Sequence, residues 1–479
     1  MTDVQTLLDA AIATTDPWRG DDGFDVLDPA TDEVIRSVLS ATPEQARQAA
    51  DAAQVALGSW AGSTPRSRAE ILRRTFEIME AESESIARVI VAENGKSLVD
   101  ARNETHYAAD FFRWYSEEAV RLSGTLGHSP SGGNRILTTH KPIGVAVLVT
   151  PWNFPAAMAT RKIAPALAAG CTVVLKPASE TPLTALVIAE VLRRAGVPDG
   201  VVHVLPSRRS GPLVGELLAH PAVRKLSFTG STEVGKVLLR QAADRVVNAS
   251  MELGGNAPFV VLPGADIEAA VDGAMIAKMR NGGQACTAAN RFIVHESVAS
   301  DFVDLFSAAM GSLTMGPGVD ERSQLGPVIN RKAQQEMQAL VDQAVASGGR
   351  TRLGGSVPGG AGSFYPATVV ADVPGDAPVL QEEIFGPIAP VSVFDSVDEA
   401  VRLANSTEVG LAGYVYAGDL AQGLAVAERL EVGMVGLNRG AVSDPAAPFG
   451  GVKESGLGRE GAQEGILEYT EVQMIATQW

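Results

Sequence analysis

Thiols are scarce in this sequence: Cys171 and Cys286 are the only cysteines in 479 residues. No CxxC spacing exists, which excludes a disulfide framework and makes the reducing cytoplasm the expected setting. The six histidines, His106, His128, His140, His203, His220 and His295, form no HxxxH pair, so no metal is expected. Basic charge is also short, with 39 Lys and Arg against 56 Asp and Glu and a formal net charge of -17. That argues against nucleic acid or an anionic membrane as partner, since both want basic surfaces. No apolar run approaches the roughly 18 residues of a membrane span. The opening M-T-D-V-Q-T-L-L-D-A carries acids where a signal peptide has bases. There is no Walker loop, GxSxG elbow or kinase signature, so phosphoryl transfer and serine hydrolysis lose their main support.

What is present is a chain long enough for two or three domains, at roughly 150 residues each. Gly20-Asp21-Asp22-Gly23 leads into a predicted hairpin of Phe24 to Leu27 and Val34 to Leu39. Thr42-Pro43-Glu44 signals a helix start, and that helix should reach about Leu57. Longer helical patterns cover about Arg66 to Asn94, stopped by Gly95, and Val99 to Leu122. Ser123 to Gly133 reads as a loop. From Gly144 onward short apolar strands alternate with helices: Val145 to Thr150, Pro155 to Ala169, Thr172 to Leu175, Pro182 to Ala195, Val201 to Leu205 and Lys225 to Phe228. This implies α/β architecture with a parallel sheet, and ligands at the carboxyl ends of its strands. Phe259 to Leu262 reads as a strand and Asp266 to Met279 as a helix leading into Cys286, and a second alternating region, from Arg291 to Leu437, implies a second such domain.

Chemistry concentrates between Glu252 and Cys286. M-E-L-G-G-N-A-P offers a carboxylate beside a glycine pair that lets backbone approach closely. R-N-G-G-Q-A-C-T places Cys286 in a polar turn after a helix, whereas an inert cysteine is usually packed in an apolar face, as Cys171 is expected to be. A thiolate there can attack a carbonyl, and Glu252, trapped among apolar residues, suits the activation of water. Asn153, in T-P-W-N-F-P, offers an amide for an oxyanion. Gly230-Ser-Thr-Glu-Val-Gly235 follows a strand and opens a helix, as an anion-binding turn must.

Seven segments, T-P-W-N-F-P, K-P-A-S, F-T-G-S-T-E-V-G, E-L-G-G, N-G-G-Q-A-C, E-E-I-F-G-P and P-F-G-G-V-K-E-S-G, occur in an order that resembles the aldehyde dehydrogenase superfamily across nearly the whole chain. The resemblance implies two Rossmann-like parallel α/β domains plus a small β oligomerisation arm. Residues 1–122 and 143–253 would bind cofactor, 254–445 would be catalytic, and 123–142 with 463–479 would form the arm of a homodimer or homotetramer. It implies Cys286 as nucleophile, Glu252 as general base and Asn153 as oxyanion donor. Cofactor contacts would come from Thr150, Pro151, Trp152, Lys176, Ser179, Gly211, Gly230, Ser231, Leu253, Glu383 and Phe385. Lys162 is similar to a family lysine near the active site.

Arg161, Arg280 and Ser443 together resemble the carboxylate-holding trio of succinate-semialdehyde dehydrogenases, with Phe154 beside them. A guanidinium fork matches a carboxylate bidentately. The expected substrate is therefore succinate semialdehyde. Glutarate semialdehyde or another aliphatic aldehyde is an alternative, as is a non-catalytic binding or structural protein on this scaffold. Ser179 stands where NAD-preferring members often place a glutamate, so NADP is the expected cofactor with NAD tolerated. Arg208 and Arg209 could add attraction for a 2′-phosphate. Ala288 occupies the position of the second, redox-switching cysteine of some relatives, so no such disulfide is expected.

Overall fold

A computed structural model describes residues 4–13 and 22–478; Gly20 and Asp21 of the expected turn, and the terminal residues of the outer domain boundaries, lie outside the described residues. The hairpin forms as Gly23–Leu27 against Val34–Leu39. Asp28 fixes its turn by accepting the Ala30 N–H at 2.7 Å. Thr42 caps the helix Pro43–Ala61 in a capping box with Gln45, and the helix runs a turn further than expected. The single helix expected over 66–94 is instead two, Pro65–Ala81 and Ser83–Asn94, broken at Glu82. No glycine or proline marks this break. Its cause is tertiary: the Glu82 carboxylate is held by Arg194, at 2.8 and 2.9 Å, from the helix Pro182–Ala195. Gly95, with φ of 85°, ends the second helix where expected.

Two sheets carry the fold. The first runs Gly456–Leu457, Asn248–Glu252, Val223–Thr229, Val145–Val149, Thr172–Lys176, Val202–Val204. The second runs Arg350–Leu353, Thr368–Ala371, Ile388–Phe394, Ala289–His295, Ala257–Val261, Ala412–Tyr416, Met434–Leu437. Each is parallel except for one antiparallel edge strand. Val145–Val149, Thr172–Lys176 and Ala257–Val261 are buried at every position, because helices cover both faces. The antiparallel edge of the first sheet comes from far along the chain: Gly456 pairs with Glu252 and Leu457 with Met251. Only glycine fits at 456, where φ is 144° and a Cβ would sit 1.9 Å from the Met251 carbonyl oxygen.

The segment read as a loop, 123–133, contains a strand, Thr125–His128. It joins Arg135–Pro142 and Thr470–Thr477 in a three-stranded antiparallel sheet. All four of its residues are exposed, so no apolar alternation betrays it in the sequence. Among the described residues no helix is long and apolar enough to cross a membrane.

Candidate active site

The nucleophile loop is built by a left-handed stretch. After the helix Ile267–Met279, a turn over Arg280–Gly283 takes φ of 53°, 59° and 78° at Asn281, Gly282 and Gly283. Gly283 has no alternative, since a Cβ there would lie 2.2 Å from the Gly386 carbonyl oxygen. Asn281 Nδ2 donates to the carbonyls of Asn153, at 2.8 Å, and Gln284, at 3.1 Å. Asn153 Nδ2 donates to the same Gln284 carbonyl at 3.1 Å. The amide expected to hold an oxyanion is thus tied to the cysteine loop. From the other side Gly255 presses against it: a Cβ at 255 would meet the Cys286 carbonyl oxygen at 2.2 Å. The glycine pair does permit the close backbone approach its sequence implied.

A buried scaffold fixes the Thr150–Pro155 turn. Lys96 donates to the Asn153 carbonyl at 2.8 Å and to Glu104 at 2.6 Å, and its ammonium lies 4.1 Å from the Phe154 ring centre. Glu104 accepts the Ala156 and Ala157 N–H groups at 2.8 and 3.2 Å, serving the N-terminus of helix Pro155–Ala169. Asn94 Nδ2 donates to the Trp152 carbonyl at 3.0 Å. Sequence reading missed these three residues. Asn94 and Lys96 lie in E-N-G-K beside a helix stop and Glu104 lies inside a helix, signals that are uninformative without the turn they contact.

Beside Cys286 opens a cleft of about 500 Å³. It is lined by Thr150, Pro151, Trp152, Asn153, Lys176, Ser179, Gly230, Ser231, Leu253, Glu383 and Phe385, all singled out from the sequence. Gly211 is not among the lining residues, although Ser210 before it is. Nor are Arg208 and Arg209, whose backbone N–H groups bind Ser40 and Ser207. Glu180, not singled out, joins the rim and accepts from Ser179 Oγ at 3.1 Å. Ser231 caps the helix Thr232–Ala243, whose N-terminus faces the cleft and favours anions. Trp152 and Phe385 meet edge to face at 5.4 Å. Burial pushes Lys176 down to about 8 and Glu383 up to about 7, the latter despite a 3.1 Å bond from the Gly255 N–H. A Cβ on Gly254 would come within 3.0 Å of Glu383, so the cleft keeps its room through glycine. A buried ammonium, a helix N-terminus and a flat aromatic edge fit a nicotinamide dinucleotide.

Behind the cleft lies a charged cluster. Burial, then Glu460, raises the Glu252 carboxyl well above the usual range, against the pull of Lys162 and Arg161. Both Glu252 side-chain oxygens are buried without a hydrogen-bond partner. Glu460, missed from the sequence, pairs with Lys162 and lies 3.4 Å from Arg161 Nε. Lys162 also reaches Ser227 at 3.0 Å. Cys286 is half-buried; desolvation, then Glu383, pushes its thiol up to about 12, with Arg161 and Arg280 pulling it down. Arg280 lies 4.7 Å from the Phe154 ring centre and 5.6 Å from that of Tyr107. Arg161 lies 5.9 Å from the same Tyr107 ring. Ser443 sits half-buried in the irregular segment after Met434–Leu437.

The family model for the aldehyde dehydrogenase family matches residues 18–475. The chain belongs to that family. As an aldehyde dehydrogenase it is an NAD(P)-dependent enzyme, and its sheets carry that fold. It is 54% identical to the succinate-semialdehyde dehydrogenase of Paenarthrobacter nicotinovorans, over 92% of this chain and 98% of the relative. It is 47% identical to the glutarate-semialdehyde dehydrogenase of Pseudomonas aeruginosa, over 94% and 93%. An Escherichia coli NADP-dependent enzyme of known crystal structure shares its fold at a TM-score of 0.94 and 44% identity, over 96% and 95% of the two chains.

Proposed function

We propose that this aldehyde dehydrogenase oxidises succinate semialdehyde to succinate, with NADP as preferred cofactor and NAD accepted. The observation that carries the substrate is the pair of guanidiniums, Arg161 and Arg280, 5.9 and 5.6 Å from the Tyr107 ring centre and within electrostatic reach of Cys286. Two cations near the nucleophile suit an aldehyde with a distal carboxylate, and Ser443 and Phe154 would complete the expected wall. The succinate-semialdehyde dehydrogenases among its relatives agree with this. Glutarate semialdehyde is the second reading, favoured by the Pseudomonas aeruginosa relative and served by the same arginines.

In the mechanism, Cys286 Sγ adds to the aldehyde carbon while the Asn153 amide donates to the oxygen that becomes negative. The thiol must shed its proton to react; burial and Glu383 oppose this, and Arg161 and Arg280 only partly offset them. Bound dinucleotide supplies the hydride acceptor. Lys176 and Ser231 would hold its adenosine and phosphate portions, and Glu383, Trp152 and Phe385 its nicotinamide end. Glu252 then takes a proton from the water that cleaves the thioester on Cys286; its raised proton affinity suits a base. Ser179 in place of glutamate admits a 2′-phosphate. We also read the three-stranded sheet as the arm of a cytoplasmic homodimer or homotetramer, its exposed Leu126, Val472 and Met474 being covered in the assembly.

The test is a kcat/KM panel with NADP and NAD over succinate semialdehyde, glutarate semialdehyde and butanal. Arg280→Ala is measured beside wild type. The carboxylated four-carbon aldehyde should win by at least about tenfold, and Arg280→Ala should remove that margin. Equal use of butanal by wild type would leave a general aldehyde dehydrogenase.

A further inference from the structure

The turn that leads to the nucleophile contains one left-handed residue that is not glycine. Asn281 holds φ of 53° and ψ of 35°, and Gly282 and Gly283 follow with φ also positive. Glycine would satisfy that backbone at 281 equally well. What asparagine adds is an amide, and both of its N–H groups are used. Nδ2 bridges the Asn153 carbonyl, at 2.8 Å, and the Gln284 carbonyl, at 3.1 Å, while the Asn281 backbone N–H donates to Asp100 at 3.2 Å. The residue is 1% exposed, and its Oδ1 is buried without a partner. That oxygen is an acceptor and has nothing to offer an oxyanion.

The bridge spans the two halves of the fold. Asn153 follows the strand Val145–Val149 of the first sheet, and Asn281 and Gln284 precede the strand Ala289–His295 of the second. Across that join Asn153 is gripped at both ends. Its backbone carbonyl accepts from Asn281 and, at 2.8 Å, from Lys96. Its side-chain Nδ2 donates to the Gln284 carbonyl at 3.1 Å, which fixes the way the amide faces, since a flipped amide would set oxygen against oxygen. An NH2 has two hydrogens, so one remains for a substrate oxygen. Gln284 is held in turn: its side chain accepts the Ile329 N–H at 2.9 Å and donates to the Asn281 carbonyl at 3.3 Å.

We propose that Asn281 is a positioning residue for the oxyanion: bridging the Asn153 and Gln284 carbonyls, it sets the Asn153 amide against the Cys286 loop and does not itself touch substrate. This rests on Asn153 being the oxyanion donor, as read above.

Asn281→Gly keeps the left-handed backbone and removes the amide. Acylation is read from the first turnover of cofactor reduction, and the Cys286 thiol from its alkylation by iodoacetamide, which develops no oxyanion. Asn153→Ala should slow acylation about 10²- to 10³-fold, and Asn281→Gly about tenfold to a hundredfold. The backbone carbonyl that Asn281 holds survives in Asn153→Ala, so the double variant isolates the amide. In that background Asn281→Gly should cost less than about twofold, because no amide is left to place. Alkylation of Asn281→Gly should stay close to the wild-type rate, since Gln284 keeps its bond to Ile329. Losses that multiply in the double variant, or alkylation slowed as much as acylation, make Asn281 merely structural and overturn the proposal. So does an Asn281→Gly enzyme that acylates like wild type while Asn153→Ala is slow. If Asn153→Ala itself acylates normally, the oxyanion reading falls and this one with it. Wild-type crystals soaked with butanal, without cofactor, answer independently of any variant. A thiohemiacetal oxygen on Cys286 within about 3.2 Å of Asn153 Nδ2, with Asn281 still on the Asn153 carbonyl, supports the assignment; contact between that oxygen and Asn281 refutes it.

Discussion

Gly255 is where the smallest change should have the largest effect. A methyl group there would stand 2.2 Å from the Cys286 carbonyl oxygen, 3.3 Å from Leu411 Cβ and 3.4 Å from the Cys286 carbonyl carbon. Real Cβ atoms stay beyond 3.0 Å, so one of the two segments must move by at least about 0.8 Å. The obstacle is backbone and cannot rotate away. Behind Cys286 the loop is held by Asn281, Gln284 and Asn153, so any shift reaches the sulfur and the oxyanion donor together. Misplacement near 1 Å costs roughly a hundredfold in rate. Overpacking of this kind destabilises a fold by about 1–3 kcal/mol. Gly255→Ala should therefore lower kcat about a hundredfold while the protein remains folded and binds dinucleotide. Gly254→Ala is the internal comparison. Its Cβ would meet the Glu383 carboxylate, at 3.0 Å, and Thr232 Oγ1, at 3.4 Å, side chains and not backbone, so its effect should appear in the KM for cofactor. Steady-state kinetics, cofactor titration by fluorescence and thermal melting separate these outcomes. A kcat for Gly255→Ala within twofold of wild type would falsify the contact argument.

Three further outcomes are expected. Glu252→Gln should release a burst of about one reduced cofactor per subunit and then turn over roughly 10²- to 10⁴-fold more slowly, because thioester cleavage loses its base; a missing burst with normal Cys286 alkylation would contradict this. Lys176 is charged below and neutral above its value of about 8, so dinucleotide affinity should weaken as pH rises from 7 to 9; a flat binding profile, or one unchanged in Lys176→Ala, argues otherwise. Glu180 places a carboxylate 3.1 Å from Ser179 Oγ at the cleft rim, so Glu180→Gln should raise the NADP-to-NAD kcat/KM ratio roughly threefold to tenfold at low salt, the gain shrinking as salt screens it; a ratio that does not move removes Glu180 from cofactor choice.

Much of this was legible in the sequence because local signals and global packing agree. Thr42, Gly95 and Pro182 mark helix ends by rules that need only a few neighbours. The cleft was legible because strand ends of a parallel sheet converge, and eleven residues chosen from motifs do line it. What escaped depends on distant partners. The break at Glu82 has no local breaker and is held by Arg194, 112 positions away. Glu460 meets Lys162 across 298 positions, and a glutamate alone reads as a solvated one. Tyr107 lies in an aromatic-rich helix where its hydroxyl gives no periodic signal. Arg161 was legible as a cation near the site, but its contacts with Tyr107, Glu460 and Phe449 were not.

The pairing of Gly456 with Glu252 also bears on how the molecule is made. During synthesis the strand Asn248–Glu252 emerges more than 200 residues before its outer neighbour Gly456–Leu457. Until then it is an open edge, able to recruit any passing strand. The nascent chain must carry that unguarded edge while the whole second sheet is translated, so the strand bearing the base is among the last to be sealed. A ribosome stalled before Gly456 should hold a chain prone to aggregate, and one stalled far enough beyond it for Leu457 to clear the exit tunnel should hold a guarded one.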